Sequence, residues 1–159
     1  MRAQLIRILS IGVATAAFSA CALNPKSSSE NRSQADGGTA DRAAGQALKL
    51  VGTRYRYGGS SPSEGFDCSG LVQYSYRQAG LVVPRSTESQ LRASTPIRVS
   101  SLRRGDLLFF DQEGKKKSHV GIYLGGGQFV HAPSSGKAVR RDSLDNPYWK
   151  KHLSEARRV

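Results

Sequence analysis

Two hydrophobic periods divide the chain. Upstream, apolar positions recur at helical spacing. Ala43, Ala47, Leu50 and Val51 share a face and predict a helix from Thr39, as cap, to Val51, closed by Gly52. Val72, Tyr76 and Ala79 form a second stripe, with Asp67 as N-cap, Cys68 in the first turn and Gly80 as the stop. Pro84-Arg85-Ser86-Thr87 opens a short helix through about Ala93, capped by Ser86 or Thr87. Downstream the pattern shortens to strand-length runs. Strands are expected over Pro96–Val99, over Leu107–Phe110 after a Gly105-Asp106 turn, over His119–Leu124, over Gln128–Ala132 and near Ala138–Asp142. Pro147–Lys150 reads as a final helical turn, and Ala156–Val159 as a last edge strand.

The pattern also fixes a register. Gly125-Gly126-Gly127 supplies the positive φ of a tight hairpin. With Leu124 opposite Gln128, His119 shares a face with Gly121 and Tyr123, and His131 lies opposite Gly121. The two histidines are then diagonal neighbours, roughly 7–8 Å apart at Cα. A slip of one residue would put them on opposite faces. Lys115-Lys116-Lys117 reads as a solvated hairpin tip, and His152 as a surface residue among charges.

Charge and the N-terminus narrow the setting. The 159 residues suffice for one domain, with a formal net charge of +12. Such a charge suits an anionic polymer or surface. Met1–Ala20 carries Arg2 and Arg7 followed by an apolar run of signal-peptide length. Small residues before Cys21 resemble a bacterial lipobox, with Phe18 departing from the usual aliphatic position. Residues 1–20 are therefore expected to be a lipoprotein signal, residues 21–39 a flexible tether from lipidated Cys21, and residues 40–159 the folded domain. The export signal argues against a nucleic-acid partner, and lipidation of Cys21 would leave Cys68 as the free thiol.

Cys68 is the candidate nucleophile. A thiol at a helix start feels the positive end of the dipole, which favours thiolate. The competing reading is a buried cysteine packed as a small hydrophobe. A nucleophile needs a base, for which His119 is available, and the base needs a partner for its other nitrogen, which His131 supplies. The Cys68 backbone N–H and a tyrosine hydroxyl, from Tyr55 or Tyr57, could stabilise an oxyanion, with the other tyrosine packed. A metal site on Cys68, His119 and His131 is disfavoured by the absence of short paired spacing.

These pieces resemble the NlpC-type cell-wall cysteine peptidases. The resemblance rests on Gly52-Thr53-Arg54-Tyr55 with Gly58-Gly59, Asp67-Cys68-Ser69-Gly70, Pro84-Arg85-Ser86-Thr87, Gly105-Asp106-Leu107, His119-Val120-Gly121-Ile122-Tyr123 and Phe129-Val130-His131-Ala132. The tail from Asn146 to Val159 resembles the Spr-type murein endopeptidase lipoproteins of Gram-negative bacteria. The resemblance implies an α+β, reduced papain-like fold, with N-terminal helices carrying the cysteine packed on an antiparallel sheet carrying both histidines. It implies Cys68 as nucleophile, His119 as base, His131 as orienting residue and Tyr55 as oxyanion donor, with Asp67 and Ser69 lining the groove or capping the helix. The loop between Tyr55 and Cys68 is one residue longer than the pattern. The implied activity is a peptidoglycan endopeptidase, without metal or cofactor, that cuts D-alanyl–diaminopimelate or γ-D-glutamyl–diaminopimelate. The implied setting is a monomer held to the periplasmic face of the outer membrane. A non-catalytic peptidoglycan-binding lipoprotein is the rival class.

Overall fold

The computed structural model describes residues 27–134 and 136–159, with side chains from residue 38 onward. The expected signal segment, Cys21 and the first part of the expected tether lie outside the described residues. Helix α1 (Ser27–Lys49) starts well ahead of Thr39, so the stretch expected as flexible tether is helical from Ser27 on. Once one turn is fixed by packing, each added residue costs little to propagate, and a polar extension leaves no hydrophobic period to read. The fixed turn is that of Ala43, Ala44 and Ala47, all fully buried. Val51 was expected on this face but is 45% exposed. The helix ends before it, and Gly52 at φ +92° turns the chain away.

The other helices start where their caps predict. Helix α2 (Cys68–Gln78) is capped by Asp67, and Gly80 follows it at φ +92°. Helix α3 (Thr87–Arg92) is capped by Ser86, and α4 (Pro147–His152) by Asn146 with Pro147 in its first turn. A two-residue pair, β1 (Ser60–Ser61) with β2 (Gly65–Phe66), precedes α2.

Six strands follow: β3 (Thr95–Ile97), β4 (Leu107–Gln112), β5 (Lys115–Gly125), β6 (Gln128–His131), β7 (Arg140–Ser143) and β8 (Leu153–Arg158). They form one antiparallel sheet in the order β3-β8-β4-β5-β6-β7. The last strand is therefore not an edge, as its terminal position suggested. It pairs with β4 on one side and offers its other row of backbone groups to β3, which takes the edge.

In the hairpin, Ile122 pairs with Val130 and Tyr123 with Phe129, as expected, but Gln128 pairs with Gly125 in place of Leu124. Gly125 at φ +96° forms a bulge, and only Gly126-Gly127 make the turn. The lysine run also departs from a pure tip. The turn is Glu113-Gly114, Lys115 already begins β5, and Lys117 reaches an ion pair with Glu155.

Both faces of the sheet are covered, which is why Leu107–Phe110 is apolar without alternation. Leu107, Phe109, Val120, Ile122 and Val130 pack with Ala43, Leu71, Val72 and Tyr76 of α1 and α2. Leu108, Phe110, Phe129 and Ala156 pack on the opposite face with Trp149 of α4. Strand alternation assigns His119 and His131 to that second, aromatic face.

Candidate active site

Asp67 organises the thiol half. Its Oδ1 accepts the Gly70 N–H at 2.7 Å, closing the first turn of α2. The same carboxylate receives Arg85 at 2.9 Å (Nη1) and 2.6 Å (Nη2), and the Gly58 N–H at 2.9 Å. Arg85 also donates to Ser69 Oγ at 2.9 Å and to the Gly59 carbonyl at 3.2 Å. Asp67 thus caps α2, Asp67 and Ser69 both line the groove, and Arg85 is their common partner. Two glycines let these segments touch. A Cβ on Gly70 would sit 2.1 Å from the Gly59 oxygen, and one on Gly59 would sit 2.4 Å from the Gly65 oxygen. The Gly-Gly loop and the Asp-Cys-Ser-Gly turn are therefore two sides of one contact.

The thiol itself is half-buried. Thr87 Oγ1 lies 3.7 Å from Sγ, and the backbone N–H groups of Val120 and Ser69 point at it. These donors favour thiolate, but burial outweighs them and pushes the Cys68 thiol up. Burial thus opposes the thiolate that the helix start favours. The Cys68 N–H makes no hydrogen bond among the described residues.

A groove of about 510 Å³ opens over Cys68, lined by Tyr55, Tyr57, Asp67, Arg85 and Thr87 among others. Tyr55 is half-buried against the core, and burial, then the nearby Cys68 and Asp67, push its hydroxyl up. Tyr57 was expected to be packed if Tyr55 faced the site. It is instead 88% exposed at the groove rim, because the Gly58-Gly59 turn carries it outward.

The histidine half is buried. His119 Nε2 lies 2.8 Å from His131 Nδ1, as the register allowed. His131 Nε2 lies 2.9 Å from Asp142 Oδ2, which also takes Arg140 at 3.0 and 2.8 Å. With Nε2 turned to His131, the other His119 nitrogen, Nδ1, is on the side of its own backbone. That backbone carries the Val120 N–H against Sγ. Trp149 stacks on His119 at 5.7 Å and meets His131 edge-on at 4.8 Å. Burial lowers His119 to about 3, helped by His131, and lowers His131 to about 4 against the opposing pull of Asp142. Gly121 must be glycine, since a Cβ would sit 2.8 Å from the Phe129 ring and 3.4 Å from His131 Cβ.

Asp142 and Trp149 were not singled out from the sequence. The place of Asp142 is set by a strand pairing that the loop before β7 leaves unspecified in the sequence. In the β6–β7 register His131 pairs with Arg140 and Phe129 with Asp142, so Asp142 is a diagonal neighbour of His131. His152, expected at the surface, is half-buried, with its ring stacked on Tyr148 at 4.2 Å.

Residues 52–158, carrying every element of this site, match the NlpC/P60 family. The chain belongs to that family. It is 50% identical over 119 residues to the murein DD-endopeptidase MepS/murein LD-carboxypeptidase of Escherichia coli, covering 74% of this chain and 62% of that protein. It is 44% identical over 130 residues to a gamma-DL-glutamyl hydrolase of Bacillus subtilis, covering 80% of this chain and 31% of that protein. The chain thus spans less than two thirds of the length of either relative. Among solved structures, the NlpC/P60 domain of the peptidoglycan hydrolase SagA superposes with a TM-score of 0.65 at 40% identity, covering 76% of this chain and 98% of that one. Membership of the NlpC/P60 family and the placement of Cys68 on α2 beside a sheet bearing His119 and His131 mark a papain-like cysteine peptidase domain.

Proposed function

We propose that this NlpC/P60 domain hydrolyses a peptide bond in peptidoglycan, in the D-alanyl–meso-diaminopimelate cross-link. The observation that carries the reading is a thiol lining an open groove, against the Val120 backbone of the strand whose His119 is hydrogen-bonded to a buried His131. His119 Nδ1 would take the thiol proton as Sγ attacks the carbonyl carbon. Starting from a neutral pair, transfer and attack are coupled, and no resting ion pair is required. The Cys68 N–H and the Tyr55 hydroxyl would hold the oxyanion. His119 would return the proton to the leaving amine, giving an acyl-thioester. Water, deprotonated by the same nitrogen, would then release a carboxylate and regenerate the thiol. Asp67, Ser69 and Arg85 would shape the groove wall that receives the acyl side.

The choice of the cross-link rests on the 50% identity to MepS. The relationship to a gamma-DL-glutamyl hydrolase favours γ-D-glutamyl–meso-diaminopimelate as the second reading. The net charge of +12 suits a carboxylate-rich polymer. Lipidation of Cys21 would hold the domain at the periplasmic face of the outer membrane, with α1 as a stiff stem between anchor and domain.

Purified peptidoglycan incubated with the soluble domain and with Cys68→Ala, followed by mass spectrometry of the fragments, tests the reading. Cleavage by the first alone is expected, with products carrying free D-alanine carboxyl and diaminopimelate amino ends. Products ending in γ-D-glutamate would select the second bond. Cleavage by both variants, or by neither with binding retained, would remove the cysteine peptidase reading.

A further inference from the structure

We infer that Asp142 is a positioning residue, which sets the tautomer of His119 through His131 and so directs an unprotonated Nδ1 toward Cys68. The inference rests on the proposed role of His119 as base. A carboxylate has no proton to give, so its 2.9 Å contact requires a proton on His131 Nε2. His131 is neutral, so its Nδ1 carries a lone pair. The 2.8 Å contact to His119 then requires the proton of His119 on Nε2, which leaves its Nδ1 bare. Each step follows from the one before, and the chain starts at the carboxylate. Without it, each ring could carry its proton on either nitrogen, and half of the combinations aim an N–H at the thiol.

The carboxylate is held for this task. Arg140 donates through Nε and Nη2 to Oδ2, the oxygen that also receives His131. Burial alone would raise the acid, but the hydrogen bonds from His131 and Arg140 hold it below the usual carboxylate range. His131 is fully buried, and Trp149 covers both rings. Water therefore has little access to compete for Nε2.

Arg140 makes the proposal sharp. In Asp142→Asn the two Arg140 donors require an oxygen at the shared site, so the amide turns its carbonyl there and still accepts from His131. Tautomer order survives and the charge is lost. In Arg140→Ala/Asp142→Asn the amide is free to turn its NH2 toward His131 Nε2, which reverses the order along the chain. Asp142→Ala removes the acceptor altogether.

The test is long-range nitrogen–proton NMR of the imidazoles in the wild-type soluble domain and the three variants, with kcat and KM on a cross-linked muropeptide. Both rings should be Nε2-protonated in the wild type and in Asp142→Asn. They should be mixed or reversed in Asp142→Ala and in the double variant. In those two, kcat should fall about tenfold to a hundredfold, as for loss of an outer-shell partner, with KM little changed. A wild-type His119 protonated on Nδ1 would overturn the proposal. So would wild-type tautomers in both Asp142→Ala and the double variant. Because the NMR readout needs no substrate, a domain that cuts nothing would refute the hydrolase reading while the spectra still decide the role of Asp142.

Discussion

The two halves of the site are held in different ways. The thiol half is a polar lattice at the surface. Asp67, Ser69 and Arg85 exchange hydrogen bonds with the Gly58-Gly59 loop, and the side chains lie along an open groove. The histidine half is a buried chain under an aromatic lid, where His119 and His131 sit among Phe110, Phe129 and Trp149. The difference fits the tasks proposed for them, Cys68 as nucleophile and His119 as base. A nucleophile must meet a polymer in water, so its surroundings are satisfied by directional bonds that tolerate solvent. A base must keep one nitrogen free and unprotonated, so it is dried and its ring locked.

The largest expected effect separates the halves by pH. His119 and His131 are lowered to about 3 and about 4 by burial, whereas unfolded histidine titrates near 6.5. Between these limits the unfolded chain binds more protons than the fold. Stability is therefore complete above about pH 6.5 and falls as pH drops toward 4. Each ring should contribute a slope of up to about 1.4 kcal/mol per pH unit. Urea midpoints from pH 7.5 to 4 measure it, and His131→Gln should remove about half of the slope. A flat profile would mean that the rings are not dry.

Removing the lid comes next. Trp149 is 4% exposed and touches both histidines, so Trp149→Ala should cost about 3–5 kcal/mol. Water admitted to the rings should bring their titration back toward 6.5, visible by histidine NMR. In Trp149→Phe, stability should recover more than halfway, since a six-membered ring fills much of the volume. Equal losses in the two variants would show that the indole acts through something other than cover.

The same contrast decides what was legible in the sequence. The thiol half is written in contiguous pieces. Asp67 to Gly70 is a cap, a thiol and a close-approach glycine in four positions, and Pro84 to Thr87 holds an ion-pair partner, a cap and a thiol neighbour. Short-range chemistry can be read from such runs. The His119–His131 pair was also readable, because a glycine hairpin fixes register and the bulge at Gly125 leaves the pairing beyond it unchanged. Asp142 and Trp149 come from β7 and α4, beyond a loop whose length sets no register, and so only the fold shows that they complete the chain. The α1 extension and the interior place of β8 were missed for a related reason. Neither a polar helix nor a neighbour across the sheet leaves a period in the local sequence.

The thiol half is tested sterically by Gly70→Ala. The new Cβ would meet the Gly59 carbonyl oxygen, a backbone atom, at 2.1 Å. Relief requires moving the Gly58-Gly59 loop off the helix start, which strains the Asp67–Arg85 lattice. Stability should fall by about 1–3 kcal/mol, toward the upper end because backbone gives less readily than a side chain. Activity should fall further than the loss of fold explains, since the loop carries Tyr55 and Tyr57 toward the groove. Thermal unfolding alongside kcat/KM at a temperature where both proteins are folded checks this. Activity that falls only in step with stability would mean that the loop position is unimportant to the groove.

The smallest effect is the most discriminating. Asp67 both caps α2 and pairs with Arg85, and asparagine caps about as well as aspartate. With its carbonyl kept on the Gly70 N–H, Asp67→Asn should leave the first turn of α2 intact and remove the charge pair together with the Oδ2 acceptor of the Gly58 N–H. Arg85 is 37% exposed, so solvent screens the pair and its loss should cost about 1 kcal/mol. A double-mutant cycle with Arg85→Ala measures the coupling directly. A coupling near 1 kcal/mol, with amide protection at Gly70 unchanged in Asp67→Asn, would confirm that the thiol half is a lattice of modest, water-tolerant bonds. A coupling of about 3 kcal/mol or more would mean that this carboxylate is as dry as the histidines, and the contrast between the two halves would fail.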